Sequence, residues 1–87
     1  MLFKVTVFVN LKEGYSDPEG EAAKKSLRDL GYESIHDVRV GKIYRIELEA
    51  SSRKEAENII NQVCRRLLAN PVKDDYRFVF EEEWKAP

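Results

Sequence analysis

Cysteine is nearly absent from this sequence. Cys64 stands alone, so no disulfide can form within the chain, and a small secreted module held by cross-links is excluded. Histidine is as scarce: His36 is the only one, and neither residue sits in a C-x-x-C or H-x-x-x-H spacing, which excludes a structural zinc site. No stretch approaches the roughly 18 apolar residues needed to span a bilayer, so no membrane association is expected. The first strand-like run begins at Leu2, with no basic leader and no cleavable apolar segment before it, and the expected location is cytoplasmic. Net charge is also lacking. Fifteen basic side chains meet 16 acidic ones, which leaves no positive field to attract a phosphate backbone, so general nucleic-acid binding is not expected. Neither a P-loop nor a G-x-G-x-x-G turn is present.

What remains is a chain of 87 residues with 43% hydrophobic and 10% aromatic side chains, enough for a packed core and too apolar for disorder. This length makes one domain, residues 1–87, that buries roughly 60–65% of its unfolded surface. A core of that size is marginal alone, so docking on a partner or self-association is expected from size before any motif is considered.

Between Leu2 and Leu11 the apolar residues Phe3, Val5, Val7, Val9 and Leu11 recur with period 2, the mark of a strand with one buried face. The other face carries Lys4, Thr6 and Asn10 but also Leu2 and Phe8, which suggests cover from another subunit. After a polar loop containing Gly14, Asp17-Pro18-Glu19-Gly20 opens a helix: Asp17 as N-cap, Pro18 at the first helical position, Glu19 and Glu21 at the positive end of the dipole. Ala23, Leu27 and Leu30 follow at helical spacing and Gly31 stops the run, predicting a helix over 18–30. From Val38 to Ala50 the parity of Val38, Val40, Tyr44, Ile46, Leu48 and Ala50 is unbroken. A two-residue hairpin at Gly41-Lys42 would mix core with solvent positions. One long strand bent or bulged at Gly41 is therefore expected, long enough to be shared with a neighbouring molecule. Ser52 and Glu55 fit a capping box. Ala56, Ile60, Val63 and Leu67, widened by Ile59, Cys64 and Leu68, give an apolar stripe for a second helix over 53–69, closed by Asn70 in a left-handed cap before Pro71. Tyr76, Phe78 and Phe80 alternate with charged residues in a last strand, and Trp84 keeps their parity beyond Glu81-Glu82-Glu83.

The order β-α-β(long)-α-β predicts an α+β two-layer sandwich with both helices on one face of an antiparallel or mixed sheet. A tight turn at Gly41 would instead give a ferredoxin-like β-α-β-β-α-β fold, and with it the alternative of an ACT-type small-molecule sensor.

No catalytic constellation is visible. Cys64 lies mid-helix on the apolar side, where a thiol is not activated. The serines fall at loops, caps and a helix surface, and the carboxylates Asp74-Asp75 and Glu81 to Glu83 read as solvated. Tyr44, Tyr76, Phe78 and Phe80 share parity with aliphatic core positions, so they read as core and not as a stacking platform for bases. Gly20 sits in the opening turn of a helix, where a helix former would be better by about 1 kcal/mol; it permits the close approach of another backbone or a ligand. Arg39 and Lys42 flank Gly41 on a strand, an arrangement that could meet an acidic loop or an anion.

Five stretches together resemble the PurS family: Leu11-Lys12, Asp17-Pro18-Glu19-Gly20, Asp37-Val38-Arg39-Val40-Gly41-Lys42, Cys64-Arg65-Arg66-Leu67-Leu68-Ala69-Asn70 and Asp75-Tyr76-Arg77. Their order and spacing cover nearly the whole chain. The resemblance implies a non-catalytic small subunit of phosphoribosylformylglycinamidine (FGAM) synthase, which converts formylglycinamide ribonucleotide to the amidine in de novo purine biosynthesis. It implies a homodimer or tetramer that bridges a glutaminase (PurQ-type) subunit and a synthetase (PurL-type) subunit and assists ammonia transfer. It implies no cofactor or metal in this chain, with ATP and magnesium held by the synthetase. The motif-matching positions Asp17, Gly20, Arg39, Gly41, Lys42 and Asn70 are the candidates for partner contact or for the turns that shape it; Asp17 and Asn70 are also natural helix caps.

Overall fold

The computed structural model describes residues 1–81, and the expectation for Trp84 lies outside them. In chain order the elements are β1 (Leu2–Leu11), α1 (Pro18–Asp29), β2 (Gly41–Glu49), α2 (Arg53–Val63) continued by a π-helical turn (Cys64–Leu68), and β3 (Asp74–Phe80). The sheet order is β2-β1-β3, with β1 antiparallel to both neighbours. The α+β fold expected from the element order is present.

Period 2 in β1 does what it promised. Val5, Val7 and Val9 are buried, and the register sets Ile46 and Phe80 on either side of Val5 and Tyr44 and Phe78 on either side of Val7. Onto this face α2 places Ala56 and Ile60, and the π turn adds Cys64; Ala50 and Ala69 close the ends. Phe80 meets both Phe3 and Phe78 edge-on, with ring centroids 5.8 and 6.4 Å away. α1 adds no side chain to this cluster, its one buried residue being Gly20. On the opposite face Phe8 is half-buried beneath the Arg77 guanidinium, 4.0 Å from the ring centroid, so a charge from β3 supplies part of the cover that its sequence position calls for.

Both helix starts form as their sequences direct. Asp17 accepts the Gly20 N–H, and Ser52 Oγ accepts the Glu55 N–H at 3.1 Å. The return arm of the capping box reaches one residue further back: Glu55 accepts the N–H of Ser51 at 3.2 Å, together with the Ser51 hydroxyl. α1 ends in a Schellman motif, with Tyr32 N–H donating to Leu27 O and Gly31 N–H to Arg28 O, and Gly31 at φ 103° where a side chain would be strained.

Three expectations need correction. β2 begins at Gly41, not at Val38, because its ladder to β1 starts with Asn10 opposite Gly41, and the next residue, Val40, gives its N–H to Asp17 instead of to the sheet. The chain does not double back at Gly41, so the ferredoxin-like alternative falls, and nine residues is still a long strand. The second helix is α-helical only to Val63. Ala69 N–H donates to Cys64 O at 2.9 Å, an i to i+5 bond that inserts one extra residue in the turn. That insertion rotates Leu67 out of the apolar stripe, where it is 82% exposed, and brings Ala69 inside. Finally, no non-glycine residue among those described has a positive φ, so Asn70 is not a left-handed cap. It builds a turn instead, its Oδ1 accepting Val72 N–H at 2.9 Å and its carbonyl accepting the N–H groups of Lys73 and Asp74.

A Cβ on Gly20 would overlap the Val38 carbonyl oxygen and lie 2.8 Å from Asp17 Oδ2. Elsewhere in a helix Gly→Ala stabilises by up to about 1 kcal/mol. Gly20→Ala is expected to reverse that sign and cost about 1–3 kcal/mol, read as a lower urea midpoint with an unchanged slope. A midpoint at or above that of the unsubstituted chain contradicts the close approach.

Candidate functional site

The candidate positions converge at one end of the sheet, and a single carboxylate gathers them. Asp17 is buried at 6% exposure. Its Oδ1 accepts the Gly20 N–H at 2.9 Å within α1, and its Oδ2 accepts the Val40 N–H at 2.8 Å from the segment approaching β2. The Val40 N–H, then the Gly20 N–H, hold its carboxyl below the usual carboxylate range; burial pulls the other way, and the Arg39 charge adds a smaller lowering. The backbones come this close because residue 20 has no side chain.

Arg39 points back over the joint. One guanidinium nitrogen donates to Tyr15 O at 3.1 Å and the other to Lys12 O at 3.3 Å, clamping the loop after β1. Lys12 N–H in turn donates to Lys73 O at 2.7 Å, which ties that loop to the turn built by Asn70. Asn70 N–H donates to Asp74 Oδ2 at 2.9 Å. Gly41 packs against the Asn10 side chain and, with a Cβ, would come within 2.9 Å of Val9 O. Lys42 differs from the others: it is exposed and makes no hydrogen bond or ion pair among the described residues.

The joint borders a shallow depression of about 200 Å³ lined by Asp17, Val40, Gly41, Lys42, Lys73 and Asp74 together with Val9, Leu11 and Glu19. Five of the six candidates thus belong to one constellation, and Asn70 reaches it through Lys73 and Lys12. Lys73, which also lines the depression, is not among the sequence candidates; Asn70, whose side chain forms an Asx turn with the Val72 N–H, is the local signal for the turn that carries it. Arg39 and Lys42, a pair in sequence, divide in space between holding the joint and facing outward.

Chemistry at this site is limited to binding. Both Asp17 oxygens accept backbone N–H groups, and no serine, threonine or cysteine lines the depression. Cys64 is buried in the core, where burial pushes its thiol up against a smaller lowering by Arg65. Among the described residues no three His, Cys, Asp or Glu side chains cluster in a way that could hold a metal ion, and no helix is long and apolar enough to cross a membrane. Another hollow, about 390 Å³, is lined by Lys4, Thr6, Arg45, Glu47 and Glu81 with Val5 and Ile46, and contains a Lys4–Glu81 ion pair at 3.8 Å.

Fold and site together define a class: a small α+β chain whose site residues, apart from Lys42, make polar or packing contacts within the chain itself. Residues 4–82 match the PurS family model, described as phosphoribosylformylglycinamidine (FGAM) synthase, and the chain belongs to the PurS family. The PurS subunit of Archaeoglobus fulgidus is 50% identical over 76 residues, which span 87% of this chain and 95% of that one. The Bacillus subtilis PurS structure superposes with a TM-score of 0.82 at 39% identity, covering 91% of this chain and 98% of the other. A chain of the Thermotoga maritima PurLQS structure superposes with a TM-score of 0.83 at 31% identity, covering 92% and 98%.

The lowered Asp17 carboxyl has a signed consequence for stability. Its folded pKa lies below its unfolded value of about 3.8, so its contribution is present above that value and is lost as pH falls through the folded one. Asp17→Asn is expected to lower the melting temperature near neutral pH by several degrees and to flatten the acid limb of a melting-temperature-versus-pH curve. An acid limb as steep in the variant as in the parent chain contradicts the assignment.

Proposed function

We propose that this chain is the PurS subunit of FGAM synthase, a non-catalytic member of the ligase that converts formylglycinamide ribonucleotide to formylglycinamidine ribonucleotide in purine biosynthesis. Its partners are a synthetase (PurL-type) subunit and a glutaminase (PurQ-type) subunit. The observation that carries this reading is the match, over nearly the full length of both chains, to a chain of the PurLQS structure, joined to 50% identity with a PurS subunit. In this reading ATP and magnesium belong to the synthetase, ammonia is released by the glutaminase, and this subunit works in the cytoplasm as a homodimer or tetramer. It joins the two larger subunits and keeps ammonia from escaping to water between them.

Asp17, Gly20, Gly41 and Arg39 shape the contact, and Asn70 braces it through the Lys12 loop. Lys42 makes the contact. A flexible cation with no partner among the described residues can pair with an acidic group on the synthetase, and it faces solvent beside backbone that the Asp17 carboxylate holds rigid. Arg39 is a poorer probe of binding, since removing it frees the loop at Lys12 and Tyr15.

Reconstitution tests the function. Glutamine-dependent amidine formation by the two larger subunits should be strongly reduced without this chain and restored by adding it, while activity with ammonium salts is less affected. Full glutamine-dependent activity in its absence overturns the reading. Lys42→Glu should weaken binding to the synthetase about tenfold, a change of about 1.4 kcal/mol, with an unaltered melting temperature; unchanged affinity by calorimetry removes Lys42 from the contact.

A further inference from the structure

β2 has a neighbour on one side only. In the order β2-β1-β3 it lies at an edge, and among the described residues no strand flanks its outer side. It runs nine residues, Gly41–Glu49, with no proline and no break in its register to β1. Neither a bulge, a proline nor a short length blunts it, and an edge of this kind is a template for another strand. Ala50 N–H donates to Met1 O at 3.0 Å. Alternation along the strand therefore turns the N–H and C=O groups of Tyr44, Ile46 and Leu48 toward β1, and those of Ile43, Arg45, Glu47 and Glu49 toward the edge. The side chains alternate between the sheet's two faces in the same way. Tyr44, Ile46 and Leu48 pack against the core yet stay half-buried, while Ile43, Arg45, Glu47 and Glu49 are exposed on the other face.

A second copy of β2 is the strand that fits. An antiparallel pair with its two-fold axis through Ile46 sets Arg45 opposite the partner's Glu47 and Glu47 opposite the partner's Arg45, with the partner's Glu49 on the diagonal from Arg45. On the core face Ile46 meets the partner's Ile46, and Tyr44 meets the partner's Leu48, so the two apolar faces run on as one. The neighbouring registers fail. An axis through Arg45 or through Glu47 opposes that charge to itself, and one through Leu48 opposes Glu47 to the partner's Glu49. An axis through Tyr44 sets Lys42 against the partner's Ile46 and pairs no opposite charges.

Glu47 points the same way by itself. It is exposed, and among the described residues no ion pair or hydrogen bond engages it; its neighbour across the ladder, Lys4, pairs with Glu81 at 3.8 Å instead. The register centred on Ile46 brings a guanidinium to this carboxylate.

We propose that two copies of this chain join edge to edge through β2, antiparallel and centred on Ile46, in one continuous sheet of order β3-β1-β2-β2-β1-β3. The homodimer of the proposed function thereby acquires its interface and register. It is tested on this chain alone, so that its failure leaves the role in the synthase to be judged by reconstitution.

Disulfide trapping reads the register. Across the two-fold axis the Ile46 Cα atoms would lie about 4.5 Å apart, as at other non-hydrogen-bonded positions, within reach of a disulfide. Ile46→Cys should therefore cross-link to its own copy on mild oxidation at least tenfold faster than Ile43→Cys, whose two copies would lie about 20 Å apart along the strand. The unsubstituted chain, which carries Cys64, is the control. Charge reversal is the second arm, read by sedimentation equilibrium. Arg45→Glu should weaken self-association at least tenfold, and the swap Arg45→Glu with Glu47→Arg should return it to within threefold, because only the swap restores both pairs across the axis. The charge arm decides should Ile46→Cys lose its fold by circular dichroism. A chain that is monomeric at tens of micromolar, a folded Ile46→Cys that cross-links no faster than Ile43→Cys, or a swap no better than Arg45→Glu alone overturns the proposal.

Discussion

The structure turns on one carboxylate. Asp17 receives N–H groups from two segments distant in sequence, Gly20 in α1 and Val40 ahead of β2, and a charged acceptor makes each bond stronger than its neutral equivalent. The consequences propagate outward. Because the Val40 N–H is bound to Asp17, it is not available to a sheet partner, and the ladder of β2 opens at Gly41. Because the first turn of α1 is drawn against the Val38 carbonyl, residue 20 has no space for a side chain. Arg39, between the two, is left to hold the loop after β1 through its carbonyl oxygens. Five motif positions that look like separate signals in the sequence are thus consequences of one joint.

How much of this could be read from the sequence follows the reach of each signal. Period 2 in β1 and in Tyr76–Phe80 reports which face is buried, and both faces are as read. Caps are local, so Asp17, Ser52 and Gly31 were legible, each within a few residues of its partner. The start of β2 was not legible. Val38 and Val40 continue the strand parity perfectly, but a strand also needs a neighbour to pair with, and no periodicity records that β1 ends its pairing with β2 at Asn10. The π turn escaped for a related reason. Helical spacing assumes a constant rotation per residue, and the sequence around Cys64 to Leu68 carries no mark of the extra one. At the candidate site the positions were found but not their division of labour: Arg39 and Lys42 look alike as cations flanking a glycine, and only distances separate the residue that holds the joint from the one that faces out.

A chain built this way has little reserve of its own. The radius of gyration is 16.3 Å, against about 12 Å for a compact domain of this length. Among the described residues nine apolar side chains are buried; three are alanines and one is a cysteine, leaving Val5, Val7, Val9, Ile60 and Phe80 to supply most of the burial energy. Leu30, Tyr32, Ile43 and Leu67 meanwhile face water. In a solitary protein that distribution wastes apolar area. In a subunit it couples folding to assembly, because any partner that binds only the folded chain adds a stabilisation that grows with the logarithm of its concentration over the dissociation constant. The weak core and the exposed residues are then two sides of the same constraint: apolar side chains committed to partner surfaces cannot also fill the interior, so a chain of this length with several interfaces has to draw part of its stability from the complex it helps to hold together.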